Sequence, residues 1–162
     1  MNSKTKKKIK SAGALLFLVY IAGLIYFLFF AERFSGLCFA QREYRYNLTP
    51  FQEIRRFWNY KEQLGTVAVL ANLLGNVAGF VPFGLILPLI CRNARGFFFI
   101  TFSGFTLSFL VEFTQLITKL GCFDIDDMIL NTTGAAAGYV LFAVSHYIYR
   151  KRRRKQYGKK KI

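Results

Sequence analysis

The chain has 162 residues, 54% of them apolar and 18% aromatic, and carries 23 Lys and Arg against 8 Asp and Glu, a formal charge of +15. That length accommodates one domain, and a mean hydropathy of +0.30 with 19 Phe excludes an ordinary soluble domain of this size. The apolar residues are gathered in blocks, and all the charges but Glu112 lie between them and at the two ends.

Residues 12–30 are free of charge. At about 1.5 Å per residue a helix over this block reaches roughly 28 Å, the thickness of a bilayer core. A basic start before an apolar run also fits a cleaved leader. This block, however, is long for one and ends in Phe27, Leu28, Phe29 and Phe30 rather than in small residues, so it reads as an anchor. Further blocks run over 66–91, 96–117 and 128–149. The expectation is an all-α integral membrane protein with four transmembrane helices forming a single membrane domain over 12–149. Basic segments 1–11 and 150–162 flank it.

Orientation follows from the Lys and Arg count in the loops. The N-terminus, the 92–95 loop and the C-terminal tail together hold 16 of the 23, and the other two loops hold 7. Both termini are therefore expected to be cytoplasmic. The basic ends set topology and meet anionic lipid, so no nucleic-acid partner is inferred. The three cysteines show no metal-ligand spacing. Cys38 and Cys122 share the external side, where a disulfide between them would be allowed.

Residues 31–65 form the one sizeable external segment. Within it Thr49-Pro50-Phe51-Gln52 has the form of a helix start, with a Thr cap, Pro at the first helical position and Gln three after the cap. Phe51, Ile54, Phe57 and Trp58 then recur at helical spacing opposite Arg55, Arg56 and Lys61. A short amphipathic helix is expected, either lying flat on the outer leaflet or packing on the tops of the spans.

Polar groups inside spans are costly, so their placement is informative. In the third span Gly104, Ser108, Glu112 and Gln115 share one face, and in the fourth Asp127, Asn131, Gly134 and Gly138 share another. Asn72 and Asn76 do the same in the second. With Asp124 and Asp126 in the turn before the fourth span, these groups gather in the outer half of the membrane. Two readings compete: a polar seam that fixes helix packing, and a pocket made of Asn72, Asn76, Ser108, Glu112, Gln115, Asp124, Asp127 and Asn131. Pro82, with Gly79 and Gly84, is expected to kink or unwind the second span and to free a carbonyl that Asn76 or a neighbouring helix could satisfy. Gly134 and Gly138 would let helices approach closely, within the chain or in a homo-oligomer.

At these residues the sequence resembles the VanZ-like family of bacterial membrane proteins. The matching motifs are Asn47-Leu48-Thr49-Pro50-Phe51; Asn72 and Asn76 ahead of Phe80-Val81-Pro82-Phe83-Gly84; Ser108, Glu112 and Gln115; and Phe123-Asp124-Ile125-Asp126-Asp127 continuing to Asn131-Thr132-Thr133-Gly134. A departure is Cys122, which stands where a polar or basic residue is expected. The resemblance implies a cell-envelope protein whose founding member lowers susceptibility to teicoplanin-type glycopeptides, and it implies no reaction.

The leading expectation is accordingly a non-enzymatic protein whose acidic outer pocket binds a lipid-linked envelope component or another lipophilic ligand. The alternative is an enzyme acting on a lipid headgroup, with Glu112 as acid or base and Asp124 and Asp127 holding a divalent cation such as Mg²⁺ or Ca²⁺. No cofactor is established by the sequence. The single histidine, His146, lies far from these carboxylates, and Ser145 beside it faces another way on a helix.

Overall fold

The structure is a computed structural model that describes residues 3–34, 44–52, 55, 59, 66–91 and 95–159, with side chains described for 11–29, 44–52, 55, 59, 73–91 and 95–156. Its elements in chain order are α1 (Ser3–Phe34), β1 (Tyr46–Asn47), α2 (Thr66–Ile90), α3 (Phe97–Thr118), β2 (Phe123–Asp124) and α4 (Ile125–Lys159). All four helices contain a stretch long and apolar enough to cross a membrane: Ser11–Phe29, Leu73–Ile90, Phe97–Thr118 and Ile125–Gln156. The chain is thus all-α in architecture, with one two-residue strand pair outside the helices.

The helices outrun the apolar blocks that predict them. α1 begins at Ser3 and α4 continues to Lys159, because Lys and Arg are strong helix formers and nothing in either basic segment breaks the pattern. α4 also starts at Ile125 rather than at 128, which draws Asp126 and Asp127 into its first turn. Carboxylates there oppose the positive end of the helix dipole.

Residue contacts fix the bundle's directions. Phe17 faces Phe83 with ring centroids 5.9 Å apart, and Tyr20 donates to the Gly79 carbonyl at 2.5 Å, so α1 and α2 run antiparallel. Asn131 meets Ser108, and Asp124 meets Glu112, so α3 and α4 are antiparallel too. A Cβ at Gly134 would strike the Val77 carbonyl and one at Gly138 the Val81 carbonyl, which makes α2 and α4 parallel and very closely packed. A Cβ at Gly84 would run into the backbone of Ala135 and Tyr139. The small-residue face of α4 is therefore used inside the chain, and only glycine fits these three positions.

The apolar core forms where the four helices meet, from Leu24, Leu28, Phe80, Phe83, Val111 and Ala135. The opposite faces carry exposed apolar residues, including Leu15, Leu18, Phe98, Phe102 and Val140. An apolar exterior around a partly polar interior is the arrangement a lipid solvent selects.

The unwinding expected at Pro82 does not occur. α2 runs unbroken through Pro82 and Pro88. A proline weakens the helix bonding of the preceding turn, and here Tyr20 of the neighbouring helix donates to the Gly79 carbonyl in that turn. Asn76 does not serve this purpose; it faces α4 instead.

Candidate functional site

The polar groups of α2, α3 and α4 lie at one end of the bundle, where α1 and α3 finish and α2 and α4 begin. The Phe123-Asp124-Ile125-Asp126-Asp127 segment is the organising piece. Asp124 stands immediately before α4 and caps it, its Oδ1 accepting the Asp126 N–H at 2.8 Å. The Asp124 N–H in turn donates to Glu112 Oε2 at 3.0 Å, so a buried carboxylate on α3 holds the turn from below. Asp127 accepts from Asn76 Nδ2 at 2.5 Å, which ties α4 to α2.

A second layer covers this one. β1 pairs in parallel with β2, Tyr46 opposite Phe123 and Asn47 opposite Asp124, and Phe123 N–H donates to the Arg45 carbonyl at 3.0 Å. Asn47 Nδ2 donates to Asp124 Oδ1 at 3.2 Å while its own Oδ1 accepts the Thr49 N–H at 3.2 Å. The Phe51 N–H donates to Asp126 Oδ1. Asp126 is only 1% exposed, so this is a charge-assisted bond in a dry setting. The segment 44–52 is thus clasped onto the start of α4 through its backbone, and the clasp's acceptors are carboxylates.

This geometry corrects the expected helix start. Thr49 and Pro50 lie in a turn, Phe51 adopts a left-handed conformation at φ 63°, and Gln52 is the first helical residue. A non-glycine residue in that region costs about 1–2 kcal/mol, which the bond from Phe51 to Asp126 offsets. The Arg55 N–H returns to the Phe51 carbonyl at 2.9 Å. Of the amphipathic helix beyond, Gln52, Arg55 and Asn59 are described, all helical and exposed; Ile54, Arg56, Phe57, Trp58 and Lys61 lie outside the described residues, as does Cys38.

Below the clasp, Asn131 Nδ2 donates to Ser108 Oγ at 2.9 Å, both side chains buried. Gln115 Nε2 reaches the Leu28 carbonyl of α1 at 3.5 Å. Asn131 Oδ1 and Gln115 Oε1 have no partner among the described residues, although the two side chains are 1% and 2% exposed. The backbone of Asn72 is in α2, but its side chain lies outside the described residues. The expected pocket residues therefore converge at one end of the bundle, but their carboxylates serve largely as anchors for backbone and Asn groups.

Among the described residues no group of three or more His, Cys, Asp or Glu side chains is placed to hold a metal. Asp124 and Asp127 are instead bonded to Asn47 and Asn76, and Glu112 is 3% exposed beneath the Asp124 backbone. Asp126 is the residue whose role the sequence hides: it precedes Asp127 by one position, yet it alone holds the Phe51 amide.

The face of the clasp turned away from the bundle is concave. A cavity of about 470 Å³ is lined by Tyr44, Arg45, Tyr46, Asn47, Gln52 and Cys122. Its rim is fixed from α3, which closes with Lys119 in a left-handed conformation at φ 54° and the Leu120 N–H returning to the Gln115 carbonyl at 3.2 Å. The Lys119 ammonium sits 4.3 Å from the centroid of the Tyr44 ring.

The residues that form the clasp and the seam lie in a part of the chain that is similar to known proteins. The family model described as VanZ/LLP1 matches residues 17–146. Protein VanZ of Enterococcus faecium is 32% identical over 142 residues, which span 86% of this chain and 77% of that relative. No solved structure matches the chain. Most of the chain, including every element that builds the clasp, falls within the matched region, and the chain belongs to the VanZ/LLP1 family.

Proposed function

We propose that this multi-pass protein resides in the bacterial cytoplasmic membrane with both termini cytoplasmic, and that it lowers susceptibility to teicoplanin-type glycopeptides. It does so by engaging a lipid-linked envelope component or the antibiotic's lipid tail at the outer end of the bundle. The observation that carries this reading is the clasp: buried carboxylates from α3 and α4 are spent on fixing the backbone of an external segment. Helix packing alone needs no such segment, because the α2–α4 glycine contacts already supply it.

The working surface is the cavity above the clasp, lined by the Tyr44 and Tyr46 rings, Arg45 and Gln52. Tyr side chains offer apolar area together with a hydroxyl donor, and Arg45 suits a lipid phosphate. In the pocket reading the acidic residues set the shape of that surface rather than contact the ligand.

The test is growth inhibition of a susceptible Gram-positive host expressing the chain, with teicoplanin and vancomycin compared, beside Asp126→Ala and Glu112→Gln variants matched for membrane abundance. The expected result is selective protection against teicoplanin, lost in Asp126→Ala and weakened in Glu112→Gln, which keeps an acceptor for the Asp124 amide. Full protection by Asp126→Ala would refute the role of the clasp. Absence of protection by the unmodified chain would refute the antibiotic reading.

A further inference from the structure

The other end of the bundle carries a second built surface. A groove of about 600 Å³ runs along α4 and against the residues entering α3, with Arg95, Phe142, His146, Arg150 and Arg154 among its lining residues. No carboxylate lines it among the described residues. Its floor is a ladder of rings: Phe97 on Tyr139 at 5.6 Å, Tyr139 on Phe142 at 5.9 Å, and His146 stacked on Phe142 at 5.6 Å and 18°.

Arg95 is held in place rather than free in solvent. Its Nε donates to the Pro88 carbonyl at 2.9 Å, its own carbonyl accepts from the Tyr139 hydroxyl at 2.8 Å, and its guanidinium carbon lies 5.8 Å from the Phe142 ring centroid. This leaves the terminal guanidinium nitrogens at the groove with their fork preserved, the geometry that grips a phosphate in two places. Arg150 and Arg154 follow Phe142 and His146 on the same face of α4, at four- and eight-residue steps from His146. Apolar rings therefore give way to cations along one line, in the sense in which an acyl chain gives way to a phosphate.

We propose that this groove is a binding site for the phosphate headgroup of an anionic glycerophospholipid, with the headgroup between Arg95, Arg150 and Arg154 and the chain leaving over Phe142. The charge, together with Tyr147, which lines the groove and is itself exposed beside the exposed Val140 and Val144 of α4, selects a lipid over a soluble anion. The assignment is independent of the antibiotic reading, since it uses the opposite end of the bundle.

The experiment counts lipids bound to the purified full-length chain by native mass spectrometry, with phosphatidylglycerol and phosphatidylcholine titrated separately. Phosphatidylglycerol is expected to bind preferentially. Arg150→Gln combined with Arg154→Gln should weaken it on the order of 25-fold, about five-fold per charge. Arg95→Lys, which keeps the charge but not the fork, should weaken it several-fold. The charge-matched control to the single variant Arg150→Gln is Arg152→Gln, an exposed cation on α4 that does not line the groove, and it should leave binding unchanged. Equal loss in that control, equal binding of phosphatidylcholine, or displacement of the lipid by inorganic phosphate would each overturn the site.

Discussion

Truncating Asp126 to Ala isolates the clasp from the bundle beneath it. The substitution removes the acceptor of the Phe51 N–H, and with it the bond that offsets a left-handed backbone at φ 63°. A hydrogen bond to a charged group contributes about 1.5–3 kcal/mol. Losing it while the backbone cost persists should raise the open population of the 44–52 segment roughly 10- to 150-fold. The helices keep their packing, because Asp126 lies outside the α2–α4 glycine contacts. Hydrogen exchange read by mass spectrometry on peptides covering 44–52, in detergent-solubilised protein, measures this directly. Exchange there should accelerate by that factor while peptides from 100–112 stay protected. Asp126→Asn, which keeps an acceptor without the charge, should fall between. Unchanged exchange in Asp126→Ala would refute the anchoring role, and acceleration throughout α3 would show that the segment and the bundle are one cooperative unit.

Other predictions address the bundle. Gly134→Ala and Gly138→Ala each force a methyl into the α2 backbone; each should cost about 1–3 kcal/mol or more and lower the thermal midpoint in detergent, while Gly13→Ala, which meets nothing nearby, should not. Ser108→Ala should cost about 1–3 kcal/mol by stranding the Asn131 amide, and Ser108→Ala combined with Asn131→Leu should recover part of it; a denaturation series that shows additive losses would count against their pairing. Tyr20→Phe removes the donor to the Gly79 carbonyl and should cost about 0.5–1.5 kcal/mol, read as a shift in the same midpoint.

The four helices were readable because each apolar block exceeds what a bilayer requires, and the inward faces because Ser108, Glu112, Asn131 and Gly134 recur at helical spacing. Period alone could not reveal the clasp. Asn47 and Asp124 are 77 positions apart, and a two-residue parallel pairing leaves no repeat to detect. Local chemistry also pointed the wrong way at Thr49-Pro50, where a favourable capping pattern competes with a stronger tertiary bond from Asp126 and loses. Asp126 was hidden for a related reason. Counted as part of an acidic cluster it looks like charge, whereas its burial makes it an anchor. At Pro82 a neighbouring helix was one of two expected donors, and the period of α2 alone could not say that it would be Tyr20 of α1.

The pairing of Asn47 with Asp124 also sets a timetable for biogenesis. The 44–52 segment is synthesised early, but the carboxylates that hold it belong to the last helix and the residue before it, 77 positions later for Asp124. At roughly 5–20 residues per second of synthesis, the segment waits about 4–15 s for its partner. From its own synthesis until then α2 also stands with its glycine-matched groove uncovered, since the backbone that fills it arrives with α4. The clasp is therefore completed only with the last helix, and a ribosome stalled before α4 would leave behind three helices without it.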